Sequence, residues 1–302
     1  MKKAGLLSVL LTLCILPVSV WACDVCGCSS AMGAGSLGLN NRMNLISLRS
    51  QYAGFHSIDH LGLTAYDQYM QADLFGQISF FQKFQLQVDI PFGVRLRDYQ
   101  ENSWGIQGLG DPWARVDFYP ISIQANENRK SSHELSLGVG IKAPLGQFNP
   151  ESSHNGLTPL PANFQLGTGS WDNFFNMSYK WQLDKWGVQF QANSRINRQN
   201  QLLYKFGNQT SSQLIGFRWF ERKQHVFRFF GGGYAEWIQA DEKFAMELIG
   251  TGGKGYYASM GAEYVRDNFA INFQATQPIS QRYSSGMVTA KSRLGFSISY
   301  FI

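Results

Sequence analysis

Three cysteines fall within six residues, Cys23, Cys26 and Cys28 in the stretch WACDVCGCSSAMGAG, and Met32 follows closely. Thiolate and thioether sulfurs are soft ligands, so a Cys-x-x-Cys-x-Cys cluster beside a methionine selects Cu or Zn among the available metals. In an oxidising compartment the same thiols pair as disulfides, and three is an odd number that leaves one over. Acylation of Cys23 is a further fate. No histidine follows the motif, which excludes covalent haem attachment. Disulfide with a spare or acylated cysteine, metal capture at Cys23, Cys26 and Cys28, and no role all stay open at this level.

Other reactive side chains form weaker patterns. ESSHNG holds Ser152, Ser153 and His154 together in a long connection, but no strand carries a His-x-Ser pair, and an activated serine needs a firmly held base. The expectation is that the chain is not an enzyme. GTGGKG (250–255) has the wrong spacing before Lys254 for a phosphate loop and no Ser or Thr after it, so it reads as a Gly-rich surface loop. His56 and His60 read as solvated bystanders. No cofactor is required by any of these patterns.

The compartment follows from residues 1–22, MKKAGLLSVLLTLCILPVSVWA: two lysines, an apolar run, then Val20 and Ala22 at the small-residue positions of a cleavage site. That is a secretory signal, cut after Ala22, and it removes Cys14. Residues 23–41 then form a periplasmic cysteine-containing segment and 42–302 the folded domain. Past Ala22 no apolar run reaches the roughly 18 residues that a membrane helix needs. The net charge of +5 is spread thinly, with no basic block that would indicate a nucleic-acid partner.

The rest of the chain alternates with period two. In FQLQVDIPFGVRLRDY, Phe84, Leu86, Val88, Ile90, Phe92, Val94 and Leu96 share one face, and Gln85, Gln87, Asp89, Arg95 and Arg97 lie on the other. The same holds for Met70/Ala72/Leu74, Leu135/Leu137/Val139/Ile141, Trp186/Val188/Phe190, Phe269/Ile271/Phe273 and Leu294/Phe296/Ile298/Tyr300. Segments of roughly 10 to 14 residues exceed the usual strand of a globular protein, about 5 to 6. The pattern predicts twelve strands near 42–53, 67–81, 84–97, 110–119, 133–145, 170–182, 186–198, 209–221, 225–238, 255–265, 268–278 and 290–302. The fold class is therefore an all-β, antiparallel up-and-down transmembrane barrel of the bacterial outer-membrane type. Tight turns near Gln82, Asp184, Lys223 and Asp267 alternate with longer connections, PISIQANENRKSSH being the long exception. Two unequal rims and an even strand count place both termini in the periplasm. Phe80, Phe81, Trp181, Trp186, Trp219 and Tyr264 form one expected aromatic girdle, and Tyr52, Trp171 and Trp237 the other.

GLGDPWARVDFYP (108–120), GIKAPLGQF (140–148), LGTGSWDNFFNMSY (166–179) and NRQNQLLYKFGN (197–208) resemble motifs of the outer-membrane barrels grouped as phenol-degradation meta-pathway transporters. The resemblance spans most of the mature chain and implies a passive outer-membrane channel or transporter. Within these motifs Asp111 and Pro144 read as strand-end and bulge devices rather than binding residues. The C-terminus RLGFSISYFI looks like the terminal strand that the barrel-assembly machinery recognises, with Phe301 and Ile302 as two extra residues.

Alternation also assigns a lumen. Arg49, Asp89, Arg95, Arg115, Asp117, Glu134, Lys142, Arg195, Arg228, Glu236, Glu263 and Arg293 all fall on the polar phase, because an Arg facing lipid near the midplane costs about 2 to 4 kcal/mol. Acids and bases are mixed, which fits a narrow or plugged pore with internal salt bridges, with an anion-leaning conduit as the other reading. The expected function is passive movement of a small solute through a channel embedded in outer-membrane lipid, linked to soft metal ions through the cysteines. The alternative is a non-conducting structural or metal-handling barrel, with lipid hydrolysis further behind.

Overall fold

A computed structural model describes residues 43–58, 62–99, 102–126, 130–150, 153–154, 158–159 and 161–302. The cysteine segment, His60 and Ser152 lie outside the described residues, as does the region read as a signal.

Thirteen long strands build one wall. They are β1 (Leu45–Ile58), β2 (Thr64–Phe80), β3 (Phe84–Tyr99), β4 (Asn102–Leu109), β5 (Trp113–Ile123), β6 (Ser131–Lys142) and β7 (Asp172–Leu183). Then follow β8 (Trp186–Ile196), β9 (Gln209–Arg222), β10 (His225–Ile238), β11 (Gly253–Arg266), β12 (Phe269–Tyr283) and β13 (Val288–Phe301). Sequential neighbours pair antiparallel, and β1 pairs with β13 from Leu45↔Phe301 to Ser57↔Val288, so the sheet closes. β4 and β5 share one position: β3 pairs its Phe92–Tyr99 half with β4 and its Phe84–Asp89 half with β5. The result is a twelve-strand closed barrel, and closure leaves no sheet edge to satisfy in an apolar medium.

Burial alternates with the pleat. Leu48, Leu74, Ile90, Val139, Phe175, Phe229, Ile271 and Phe296 stand exposed on the outer face, while Ser47, Asp73, Asp89, Ser136, Asn272 and Ser297 are buried inside. An apolar exterior of this extent is an interaction surface, and apart from the eight-residue β4 the strands of 11 to 17 residues meet or exceed the roughly 9 to 11 that a membrane crossing needs. Leu74 is 52% exposed and paired with Leu48 and Ile90 on that face. Leu74→Arg is therefore expected to lower the folding free energy in lipid vesicles by about 2 to 4 kcal/mol; an unchanged urea midpoint would place this face away from lipid.

The tight rim is made by turns with left-handed residues. Phe81 and Gln82 both have positive φ in the three-residue turn between Phe80 and Phe84, a left-handed conformation of the kind short hairpins use to follow the strand twist. Asp184 and Asp267 take the same region, which Asp tolerates better than most residues. β1 begins and β13 ends at this rim.

Three expectations are corrected. The fourth crossing begins at Asn102 rather than 110, so the connection after β3 is a short hairpin and not a long loop. β4 hid because its larger side chains, Trp104 and Ile106, pack inward against the core while Gly105 faces out, which inverts the pattern of the other strands. It ends at Leu109, and Pro112, which lacks a ladder N–H, lies in the break before β5. The connection after β5 shrinks to Gln124–Lys130, because Pro120–Ile123 and Ser131–Glu134 are already strand. Finally Trp219 is buried inside with Ile215, Phe217 and Phe230, so it belongs to the lumen and not to a girdle. Phe81, Trp181, Trp186, Trp171 and Trp237 are exposed.

Candidate functional site in the barrel lumen

Side chains cross the lumen as a set of ion pairs. Arg49 on β1 pairs with Asp89 on β3 and lies 4.0 Å over the Phe75 ring. Asp73, beside them, accepts from Gln51 at 3.2 Å and Gln71 at 2.7 Å. Arg97 grips Asp67 through two bonds of 2.6 and 2.7 Å, the planar fork that suits a carboxylate. Arg115 pairs with Asp117 at 3.0 Å and donates to Gln87 at 2.8 Å. Toward the tight rim Arg228 pairs with Glu263 above Phe217, and Lys180 lies within electrostatic reach of Glu134 and Glu263.

Toward the long-loop rim, Glu236 gathers five hydrogen bonds. Arg293 donates at 2.7 and 3.1 Å, Tyr234 at 2.8 Å, Tyr257 at 3.0 Å, and Tyr283 also donates. Phe55, Tyr69 and Phe164 pack against the same cluster. The Glu236 residue is fully buried, and full satisfaction is what makes a buried charge tolerable.

The connection between β6 and β7 folds into the lumen instead of standing outside. Its short 3-10 turn, Ala162–Phe164, places Phe164 fully buried beside Tyr69, 6.2 Å between ring centres. One carboxylate anchors the fold-in: Asp111, at the break between β4 and β5, accepts the backbone N–H of Gly146 at 2.8 Å and of Thr168 at 2.8 Å. Lys142 sits between Asp111 at 2.7 Å and Asp172 at 2.6 Å and also donates to Thr168. Asp172 further accepts from Ser170 at 2.8 Å and from the Arg198 backbone at 3.0 Å. Gly146 and Gly167 touch here so closely that a Cβ on either would meet backbone within 2.9 Å. The four segments that carried the family resemblance thus converge on one network, with Asn200 joining through Thr168 O at 2.9 Å.

Beyond this rim, Asp241 accepts from Tyr204 at 2.5 Å and from the Gly207 N–H at 2.7 Å. Burial pushes its carboxyl above the ordinary range, against the lowering pull of those two hydrogen bonds.

Beneath the folded-in segment lies a cavity of about 140 Å³. Arg95, Arg115, Lys142 and Arg195 supply its cationic wall, Asp89 and Asp111 its acidic one, and Trp113, Phe174, Phe206 and Leu166 its apolar one. Arg115 and Lys142 are paired, as above. Arg95 instead lies 4.2 Å over the Tyr69 ring, and Arg195 donates to Gln209 at 3.1 Å.

All twelve charged residues assigned to the lumen occupy the inward phase: Arg49, Asp89, Asp117, Glu134, Lys142, Arg228, Glu236, Glu263 and Arg293 are buried, and Arg95, Arg115 and Arg195 half-buried. The structure joins Arg49 to Asp89, Arg115 to Asp117, Arg228 to Glu263 and Arg293 to Glu236. The twelve leave out Arg97, although alternation places it on the polar face with Asp89, and also Asp67, Asp73 and Lys180, which lie directly across the strand pairing from Arg97, Arg49 and Glu134. Asp111 and Asp172 sit at strand ends, where period two gives no signal. His56 stacks against Tyr66, 4.6 Å between ring centres, and Lys254 lies within β11 rather than in a loop. The side chains of Ser153 and His154 are not among those described.

No family model matches the sequence, and no curated protein matches it. Among solved structures, an outer membrane channel from Pseudomonas putida F1 superposes with a TM-score of 0.65 at 12% identity, covering 89% of this chain and 98% of that one. The beta domain of the Bordetella autotransporter BrkA gives 0.49 at 7% identity, over 86% of this chain and 100% of that one. The first likeness shows a shared fold, that of bacterial outer-membrane barrels; the second is too slight to argue from.

Proposed function

We propose that this chain is a passive channel for a small solute in the bacterial outer membrane, with the tight-turn rim and both termini in the periplasm, and that it is not an enzyme. One observation carries the reading: a closed barrel, apolar outside, keeps a cavity in its lumen lined by both charged and apolar side chains. A barrel built only for structure has no need to keep charged walls around empty space. The fold shared with an outer membrane channel supports this. Twelve strands lie between the filled eight-stranded and the open sixteen-stranded barrels, and the folded-in β6–β7 segment narrows this one further.

Refolded mature protein in planar bilayers is expected to give discrete conductance steps smaller than those of a sixteen-stranded porin. Silent bilayers, together with liposomes that do not swell in small sugars or amino acids, would overturn the channel and leave the structural reading. The phenol-degradation resemblance and a soft-metal role for Cys23, Cys26 and Cys28 belong to the same proposal as refinements. For the metal, protein prepared reduced and anaerobically should retain Cu or Zn, and a triple Cys→Ser variant should lose it.

A further inference from the structure

Six of the lumen's cations have a carboxylate in ion-pairing contact, and Lys180 lies within electrostatic reach of Glu134 and Glu263; Arg95 and Arg195 stand apart. Among the described residues neither Arg95 nor Arg195 has an acid within ion-pairing distance, Arg195 feeling Asp241 only through longer-range attraction, while Arg49, Arg97, Arg115, Lys142, Arg228 and Arg293 each have one. Both exceptions line the cavity, reaching in from β3 and β8. In both, as in the paired Arg49, Arg228 and Arg293, the Nε–H is shielded from solvent and has no acceptor, so what sets these two apart is the missing carboxylate contact. A guanidinium presents its donors in a planar fork that matches a carboxylate, and burying it unpaired is costly.

The remaining wall decides the rest of the ligand. Trp113 and Phe174, 6.0 Å apart between ring centres, face the same space as Phe206 and Leu166. A volume of about 140 Å³ is close to that of an engineered cavity of about 150 Å³ that admits one benzene ring. We infer that the cavity binds a small organic carboxylate, its head group at the guanidinium groups of Arg95 and Arg195 and an apolar body of about one ring against Trp113 and Phe174. This rests on the channel reading and names its solute class: the site is a station along the path, where an anion meets two cations that have no carboxylate in contact.

Binding can be measured without conduction. Refolded wild-type protein in detergent, at low ionic strength and without chloride, would be titrated with benzoate and with the uncharged analogue benzyl alcohol, followed by calorimetry and by tryptophan fluorescence. Benzoate is expected to bind saturably and about tenfold or more tightly than benzyl alcohol, the difference a charge-assisted head group supplies. The Arg95→Gln/Arg195→Gln variant, checked for the compact form on unheated electrophoresis, should lose about tenfold of the benzoate affinity and little of the alcohol's. Equal affinity for the two ligands, no saturable benzoate binding, or displacement by equimolar chloride would overturn the proposal. Were the double variant not to fold, the wild-type comparison of benzoate with benzyl alcohol still decides. Binding without conductance would fell the channel and spare the site, and conductance without binding the reverse.

Discussion

Arg293→Met is expected to destabilise the folded barrel by about 3 to 5 kcal/mol, because it leaves a fully buried carboxylate without its cation. Glu236 would keep its three tyrosine donors, but neutral hydroxyls do not cancel a charge in a dry cluster packed with Phe55 and Phe164. Removing both charges tells the pair from the packing. The double variant Glu236→Gln/Arg293→Met should recover most of the loss, since replacing a buried ion pair by matched neutral groups is often nearly neutral. The measurement is the urea concentration at which the compact electrophoretic form disappears. A single variant as stable as the parent would show that water reaches Glu236, and the cluster would then not seal the long-loop end of the lumen.

The second large effect is expected at Lys142→Met. Asp111 and Asp172 share that ammonium, and Asp111 also holds the two backbone N–H groups that tie the folded-in segment down. Two buried aspartates facing each other without it should cost about 3 to 5 kcal/mol locally, borne by the segment between β6 and β7 rather than by the closed wall. Limited proteolysis should then cut within 143–171 while the strands resist, and bilayer conductance should rise as the constriction lifts. Asp111→Asn combined with Lys142→Met should restore part of the resistance. If the single variant resists protease as the parent does and conducts identically, the network does not hold the constriction.

These two sites differ in how visible they are before folding. Glu236 and Arg293 are readable, since each lies within a strand beside outward residues such as Trp237 and Leu294. A charge beside a lipid-facing side chain has one place to go. That they meet each other, and meet Tyr234, Tyr257 and Tyr283, is not readable: the contacts run across β10, β11, β12 and β13, and register is a property of paired strands. Asp111 and Asp172 are less visible still. They belong to short Gly-rich segments whose resemblance to known barrels could be recognised but whose meeting could not be derived, because a connection that folds inward and one that stands outside have the same local composition.

β4 makes the same point in reverse. Its inward Trp104 and Ile106 obey the pleat but break the rule that apolar residues face lipid, since they complete an aromatic cluster inside the barrel. Trp219 does likewise. Period two tells which residues share a face; it does not by itself say which face a large ring prefers.

By itself, then, the sequence determined the all-β class, the strand count, the two unequal rims and the inward phase of all twelve charges, because each follows from the alternation of side chains along a single extended strand. The tertiary structure alone decided which charges neutralise each other, that the β6–β7 connection enters the lumen, and that Arg95 and Arg195 face the cavity with no carboxylate in ion-pairing contact. Those outcomes depend on distances between strands far apart in the chain, and Coulomb energy, unlike periodicity, is set by those distances.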